Sequence, residues 1–112
     1  MNFISTRGKT PATGLGAAIA AGLAPDGGLY VPESLPKFAI DDFAGCQSLD
    51  QVGARLLAPF FAGDDLAGSL ADICAEAFNF PVPLKPLPLV DTFVLELFHG
   101  PTAAFKDVGA RF

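Results

Sequence analysis

Lys106 is the residue of this sequence that is best suited to covalent chemistry. It lies between Phe105 and Asp107, shortly after a Gly-Pro-Thr turn at residues 100–102. A lysine amine acts as a nucleophile only when its neutral form is populated, and an aromatic neighbour and a carboxylate could both tune its reactivity. Most lysines are solvated surface charges, so spacing alone leaves that structural interpretation open.

The segments on either side of Lys106 predict a strand before it and a helix start after it. Residues 92–98 are rich in β-branched and aromatic side chains, which favours a mostly buried strand. Open α/β sheets bind ligands beyond the carboxyl ends of their strands, and the amides at a helix start stabilise anions. A single strand leaves its backbone groups without partners, so we expect the chain to be part of a longer protein.

Two further groups of polar residues have side chains that could serve a function. Ser5, Thr6 and Arg7 are polar beside an apolar run, and an arginine can grip a phosphate with two nitrogens. A substrate-side role is one interpretation, and capping or loop fixation is the structural alternative. His99 is interpreted as a hydrogen-bonded structural imidazole, because it has no visible partner for proton transfer.

The first third of the chain predicts a strand, a helix and a second strand. Residues 2–5 favour a short strand, and apolar residues at helical spacing predict a helix from Leu15 to Leu23, capped by Thr13 and ended by Pro25. Residues 25–28 form a proline-glycine turn that leads into a brief strand at 29–31.

Two paired helices are predicted in the middle of the chain. Ser48 and Gln51 match a capping box, followed by an apolar face of Leu49, Val52, Leu56 and Phe60. Asp64 or Asp65 caps the next helix, whose apolar stripe extends to about residue 78 and consists of Leu66, Leu70, Ile73, Cys74 and Ala77.

Residues 80–88 contain four of the ten prolines and predict an extended connector. We interpret it as a strap on apolar surface, with a proline-rich ligand for an aromatic groove as the alternative. The predicted organisation is a domain at residues 1–80, a connector at 81–91 and the start of a second domain at 92–112.

Composition excludes several classes of partner. The net charge is −5, and Lys and Arg form no cluster, which argues against nucleic acid and anionic membranes. No stretch approaches the roughly 20 apolar residues of a membrane helix, and the N-terminus does not have the pattern of a secretory signal. We therefore expect a cytoplasmic protein in which Cys46 and Cys74 are reduced and buried, without a metal site.

Three segments resemble signatures of the threonine synthase family, in its branch shared by bacteria and fungi. Residues 95–112, which include Lys106, resemble the pyridoxal-phosphate lysine motif of that family. Residues 4–8, Ile-Ser-Thr-Arg-Gly, and residues 22–32, which contain Pro-Asp-Gly-Gly-Leu-Tyr, resemble two more. Three ordered motifs along the whole chain are far more specific than one.

The resemblance implies a fold-type-II pyridoxal-phosphate enzyme that converts O-phospho-L-homoserine and water to L-threonine and phosphate. The implied fold class is α/β, and α+β within this chain, with a small mostly helical N-terminal domain before the first strand and helix start of the cofactor domain. Lys106 matches the motif lysine and would hold the cofactor and move protons. Thr102 and Asp107 would orient the lysine or the cofactor, although Asp107 could simply favour the helix start by its charge.

The sequence departs from the family pattern in two small ways and leaves two alternatives open. Ala103 stands where a larger aliphatic residue is common, and Val108 where an aromatic residue is. The first alternative is another fold-type-II enzyme acting on a different substituted amino acid. The second is a non-catalytic helical interaction domain. For the chain alone we expect weak cofactor binding, no catalysis, and self-association through an apolar face around residues 93–98.

Overall fold

A computed structural model describes all 112 residues and shows a mixture of short strands and helices. The elements follow in the order β1 Phe3–Ser5, α1 Leu15–Ala21, β2 Tyr30–Pro32, α2 Leu49–Phe61, α3 Leu70–Ala77, β3 Leu84–Pro86, β4 Phe93–Leu95 and α4 Asp107–Ala110. Two 3₁₀ helices cover Ile40–Phe43 and Asp65–Ser69. The chain divides into two compact units, residues 1–44 with 55–70, and residues 45–54 with 71–112. The predicted α+β class is confirmed.

The first unit contains the predicted N-terminal strand pair. β1 and β2 are antiparallel, with Ile4 opposite Val31 and Ser5 opposite Tyr30. Leu29, predicted to begin the second strand, instead forms an isolated bridge with Leu23. Both strands are only three residues long, so side chains from the flanking turns supply much of their support.

Helix α1 is shorter than predicted, and Thr13 does not cap it. Gly14, which has no side chain to act as a cap, occupies the cap position, and the backbone of Thr13 is paired with Phe3 in both directions. The helix ends at Gly22, whose φ of 69° is readily adopted by glycine. The predicted stripe is only half buried: Leu15 and Ala18 are buried, whereas Ile19 and Leu23 are exposed.

Asp64, one of the two predicted caps, is the residue that caps the helical turn Asp65–Ser69, and it also accepts a hydrogen bond from α1. Its Oδ1 accepts from the backbone N–H of Leu66, and its Oδ2 accepts from Gly16. These two hydrogen bonds lower the pKa of the Asp64 carboxyl. The single helix predicted from this cap to residue 78 is divided instead, into the 3₁₀ helix Asp65–Ser69 and α3.

Helix α2 begins at Leu49, as predicted, but the partner of its Gln51 side chain and its buried positions differ. The Gln51 side chain accepts from the backbone N–H of Gln47, one residue before the predicted partner Ser48. Gly53 and Phe61 are the buried positions of α2, whereas Leu56 on the predicted face is 44% exposed. The other three residues of the predicted face, Leu49, Val52 and Phe60, are half-buried.

The second unit has a small core around α3. Cys74, Ala77 and Phe80 are buried, and Gly53 lies so close to the Phe78 ring that an added Cβ would be 2.6 Å from Cε2. Cys74 and Cys46 are both free thiols, Cys74 fully buried and Cys46 partly so. Burial raises the pKa of the Cys74 thiol.

The proline-rich segment is extended, as predicted, but it also pairs with the strand that follows it. β3 and β4 form an antiparallel hairpin in which Leu84 lies opposite Leu95 and Pro86 opposite Phe93. The backbone of Leu87 donates to Thr92 and closes the connection. The strand therefore finds a partner within the chain, and the prediction that it is mostly buried is wrong, because all three residues of β4 are exposed.

None of the helices has the length and apolar character that crossing a membrane requires.

Candidate functional site

The loop between β4 and α4 is closed by a pair of hydrogen bonds between Thr102 and Asp107. The Thr102 hydroxyl donates to Asp107 Oδ1 at 2.6 Å, and the Thr102 backbone N–H donates to Oδ2 at 2.9 Å. Asp107 is the first residue of α4 and is only 3% exposed. The hydrogen bond from the Thr102 hydroxyl is the main cause that lowers the pKa of the Asp107 carboxyl.

Gly100 makes this closure sterically feasible. A Cβ at this position would lie 2.7 Å from Asp107 Cβ and 2.9 Å from its Cγ. The Gly100 carbonyl also accepts from the Ala103 N–H, which tightens the turn. Ala103 has a φ of 54°, a conformation that is costly for a residue with a side chain. The loop is thus held by hydrogen bonds in a conformation that its residues would not all adopt alone.

Lys106 lies at the N-cap position of α4 with an exposed side chain. Its ammonium forms no hydrogen bond or salt bridge with the rest of the chain, while its carbonyl accepts from Gly109 and Ala110. The two neighbours that could tune the amine, Asp107 and Phe105, neither bind it nor bury it. The Asp107 carboxylate is bonded to Thr102, and Phe105 is 66% exposed.

His99 and Glu96 form a hydrogen-bonded pair at the start of the loop. The imidazole Nε2 lies 2.7 Å from Glu96 Oε2, and the ring packs against Phe98 with centroids 4.6 Å apart. The prediction of a hydrogen-bonded imidazole is confirmed. Its partner was missed, although the three-residue spacing of Glu96 and His99 was visible in the sequence.

Arg111 connects the end of α4 to the end of α3. Its Nε donates to the carbonyl of Ala77 at 2.8 Å, and its Nη2 donates to the carbonyl of Glu76 at 2.9 Å and to Asn79 Oδ1 at 3.1 Å. No local signal in the sequence links residues more than thirty positions apart, so this contact was not predicted.

Ser5, Thr6 and Arg7 lie in the first unit, where they fix the turn that begins at Pro25. Ser5 Oγ donates to Asp26 Oδ1 at 2.7 Å, Thr6 Oγ1 accepts from the Leu29 N–H, and Arg7 Nη1 donates to the Asp26 carbonyl. All three side chains therefore hold this turn, and their substrate-side role stays a prediction. Ser5 is buried, whereas Thr6 and Arg7 are exposed.

Asp26 is the acceptor at the centre of this turn. Its carboxylate also accepts from the backbone N–H groups of Lys9 and Gly28. The hydrogen bond from Ser5, aided by these backbone donors, lowers the pKa of Asp26 to about 2. The carboxylate is thus committed to holding the turn, in agreement with the structural interpretation of residues 26–28.

Other kinds of site have little support in the structure. No group of three or more His, Cys, Asp or Glu side chains converges in a way that could hold a metal ion. An open cleft of about 940 Å³ in the second unit has a mainly apolar lining that includes Leu49, Phe78 and Leu95, but Lys106 does not line it.

The family of the chain follows from its sequence matches. The family model described as threonine synthase N terminus matches residues 2–78. The chain belongs to the threonine synthase family. The threonine synthase of Pseudomonas aeruginosa is 42% identical over 114 aligned residues, which cover 96% of this chain and 24% of the relative.

Solved threonine synthase structures have the same fold over nearly the whole chain. The pyridoxal-phosphate-bound threonine synthase of Brucella melitensis superposes with a TM-score of 0.83 at 42% identity, covering 96% of this chain and 25% of that one. The Escherichia coli threonine synthase gives a TM-score of 0.82 at 30% identity and covers 97% of this chain and 26% of that one. The chain spans about a quarter of the length of the curated relatives that it matches.

Proposed function

We propose that the chain is the N-terminal part of a threonine synthase that binds pyridoxal phosphate through Lys106. The substrate would be O-phospho-L-homoserine, which is converted with water to L-threonine and phosphate. The observation that carries the proposal is the free ammonium of Lys106 at the end of a closed loop, in a chain of this family. Among the polar groups of that loop, Thr102 and Asp107 satisfy each other, so the amine is the group left for a ligand.

The Lys106 amine is chemically suited to bind an aldehyde cofactor. An exposed lysine without an internal partner can condense with an aldehyde without first breaking a salt bridge. Pyridoxal phosphate supplies an electron sink for carbanion chemistry when it is bound. Lys106 would hold the cofactor and move protons at its Nζ, while Thr102 and Asp107 would fix the backbone that carries it.

We also propose a substrate-side role for Ser5, Thr6 and Arg7, and chiefly for Arg7. Arg7 is exposed and uses only Nη1 for its hydrogen bond to Asp26, so its other nitrogens are available to a phosphate group. Ser5 and Thr6 would act through the turn that they fix, because their hydroxyls are already engaged.

The proposal extends to organisation and location. Residues 1–80 would form the N-terminal domain, 81–91 the connector and 92–112 the start of the cofactor domain. Two free thiols and no disulfide are consistent with a reducing compartment, and we propose the cytoplasm. We also infer that the isolated chain self-associates through β4, whose residues are exposed and apolar.

The proposal is tested on the full-length protein by phosphate release. We expect release from O-phospho-L-homoserine, no comparable turnover of O-acetylserine or serine, and loss of activity in Lys106→Ala. Lys85→Ala is the matched control, because Lys85 is an exposed lysine of the same unit. Turnover of another substituted amino acid in preference would favour a different enzyme of this fold type. Failure of the full-length gene to complement a threonine auxotroph would favour a non-catalytic role.

A further inference from the structure

Arg111 caps the C-terminal end of α3 with three hydrogen bonds. The last carbonyls of a helix have no partner within the helix, and the negative end of the helix dipole attracts a cation. The guanidinium satisfies the carbonyls of Glu76 and Ala77 and also reaches Asn79 Oδ1. The Phe80 ring lies 6.0 Å from its central carbon and adds a cation–π contact.

The same residue directly follows α4, the helix that begins one residue after Lys106. The Arg111 N–H donates to the Asp107 carbonyl, and the N–H groups of Gly109 and Ala110 donate to the Lys106 carbonyl. The hydrogen bonds from Arg111 to the end of α3 therefore tie this segment to α3 within the second unit.

Lys106 thus lies between two anchors within the second unit. On one side Thr102 and Asp107 close the loop, and on the other Arg111 ties the helix end to α3. Neither anchor uses the lysine side chain. The backbone at Lys106 is constrained from both directions while its amine stays free.

We propose that Arg111 is a positioning residue for Lys106, acting through α4 and the α3 cap. This role rests on the proposed function, since it concerns the placement of the lysine amine relative to cofactor and substrate. A displacement of about 1 Å at a reacting group can reduce turnover about 100-fold. Removal of the guanidinium should therefore affect the chemical step rather than substrate affinity.

The test compares Arg111→Met and Arg111→Lys in the full-length holoenzyme. We expect Arg111→Met to lower kcat for O-phospho-L-homoserine about 10- to 100-fold with KM unchanged. Arg111→Lys keeps the positive charge but has one ammonium nitrogen in place of the two donor nitrogens Nε and Nη2. Its kcat should therefore lie between those of Arg111→Met and the wild type. Arg55→Met is the matched control, because Arg55 is exposed on α2 and its guanidinium makes no hydrogen bond or salt bridge.

Hydrogen exchange provides a second readout that does not depend on turnover. In Arg111→Met the amides of Gly109 and Ala110 should exchange at least about tenfold faster, because α4 opens more often. Wild-type kcat and wild-type exchange in Arg111→Met would overturn the role of Arg111. If Arg111→Met does not fold, Arg111→Lys decides alone, and unchanged kcat and exchange in that variant would overturn the role.

Failure of the proposed function gives a different result. In that case Lys106→Ala would retain full turnover in a protein with wild-type Arg111, which overturns both proposals together. Loss of turnover in Lys106→Ala with no change in either Arg111 variant overturns the Arg111 role alone.

Discussion

Asp107 and Asp26 are the acceptors on which the two polar clusters of the chain are built. Each takes hydrogen bonds from a hydroxyl and from backbone N–H groups, and each has a lowered pKa for that reason. Ser5 donates to the Asp26 carboxylate in the first unit, and Thr102 donates to the Asp107 carboxylate in the second. Both carboxylates serve to fix a turn.

The sequence predicted where Lys106 lies between a strand and a helix, but not which side chain its neighbour Asp107 contacts. The position of Lys106 between a strand and a helix start followed from local patterns and is observed. The Asp107 carboxylate, which could have tuned the lysine amine, instead accepts from Thr102, five residues earlier. A sequence shows that a carboxylate is near a lysine but not which way the side chain points.

At Gly100 we expect substitution by alanine to destabilise the loop. The added Cβ would clash with the Asp107 side chain, which should reduce the free energy of unfolding by about 1–3 kcal/mol. Gly109→Ala is the control, because a Cβ there meets nothing within 4 Å and alanine favours helix. Urea unfolding measures both, and equal stability of the two variants would contradict the close approach at Gly100.

Asp26 should contribute stability that depends on pH in a defined direction. Its pKa is about 2 in the folded chain, below the ordinary 3.8, so its contribution is present above about pH 4 and is lost as the pH falls towards about 2. Asp26→Asn should therefore be less stable than wild type at about pH 5, with the difference shrinking on acidification.

The measurement for Asp26 is urea unfolding at several pH values between about 5 and 2. Asp41→Asn controls for the loss of a negative charge, because Asp41 is exposed and its carboxylate accepts no hydrogen bond. A constant difference between wild type and Asp26→Asn across this range would contradict the role of the carboxylate.

At the scale of elements, helices with strong periodicity were predictable and their pairing partners were not. α1 and α2 occur where apolar spacing placed them, with changes at their ends. The β3–β4 hairpin was missed because four prolines argued for an unpaired connector. Prolines exclude backbone donors but not carbonyl acceptors, so Pro83 still accepts from the Glu96 N–H beside the hairpin.

The packing of α2 on Phe78 gives a test at this scale. Gly53→Ala would place a Cβ 2.6 Å from Phe78 Cε2, and we expect a loss of about 1–3 kcal/mol despite the better helix propensity of alanine. Gly68→Ala is the control, because it has open space around the added atom. Thermal unfolding distinguishes the two, and a more stable Gly53→Ala would show that the contact is not tight.

At the scale of the whole chain, the number of exposed apolar side chains stands out for a protein with 51% hydrophobic residues. Phe93, Val94, Leu95 and Phe98 are each between 41% and 56% exposed. β4 is one strand of a two-stranded sheet, so it also has a free edge for pairing. The sequence predicted the exposed apolar face but not the free edge of β4.

The isolated 112-residue chain should therefore associate with itself at high concentration. We expect Phe93→Glu to reduce this association, because a charge would be buried in the contact. Ile40→Glu is the control, since Ile40 is 92% exposed but lies in the other unit. Sedimentation velocity measures the association state. A wild-type chain that stays monomeric across the concentration range would contradict the expected self-association.

The most direct measurement of the central claim is the chemical identification of the cofactor-binding side chain. The full-length protein, purified with pyridoxal phosphate, is reduced with borohydride, digested and mapped by mass spectrometry. The account predicts a pyridoxyl group on the peptide that contains Lys106 and no such label in Lys106→Ala. A label on any other residue of the wild-type protein would contradict it.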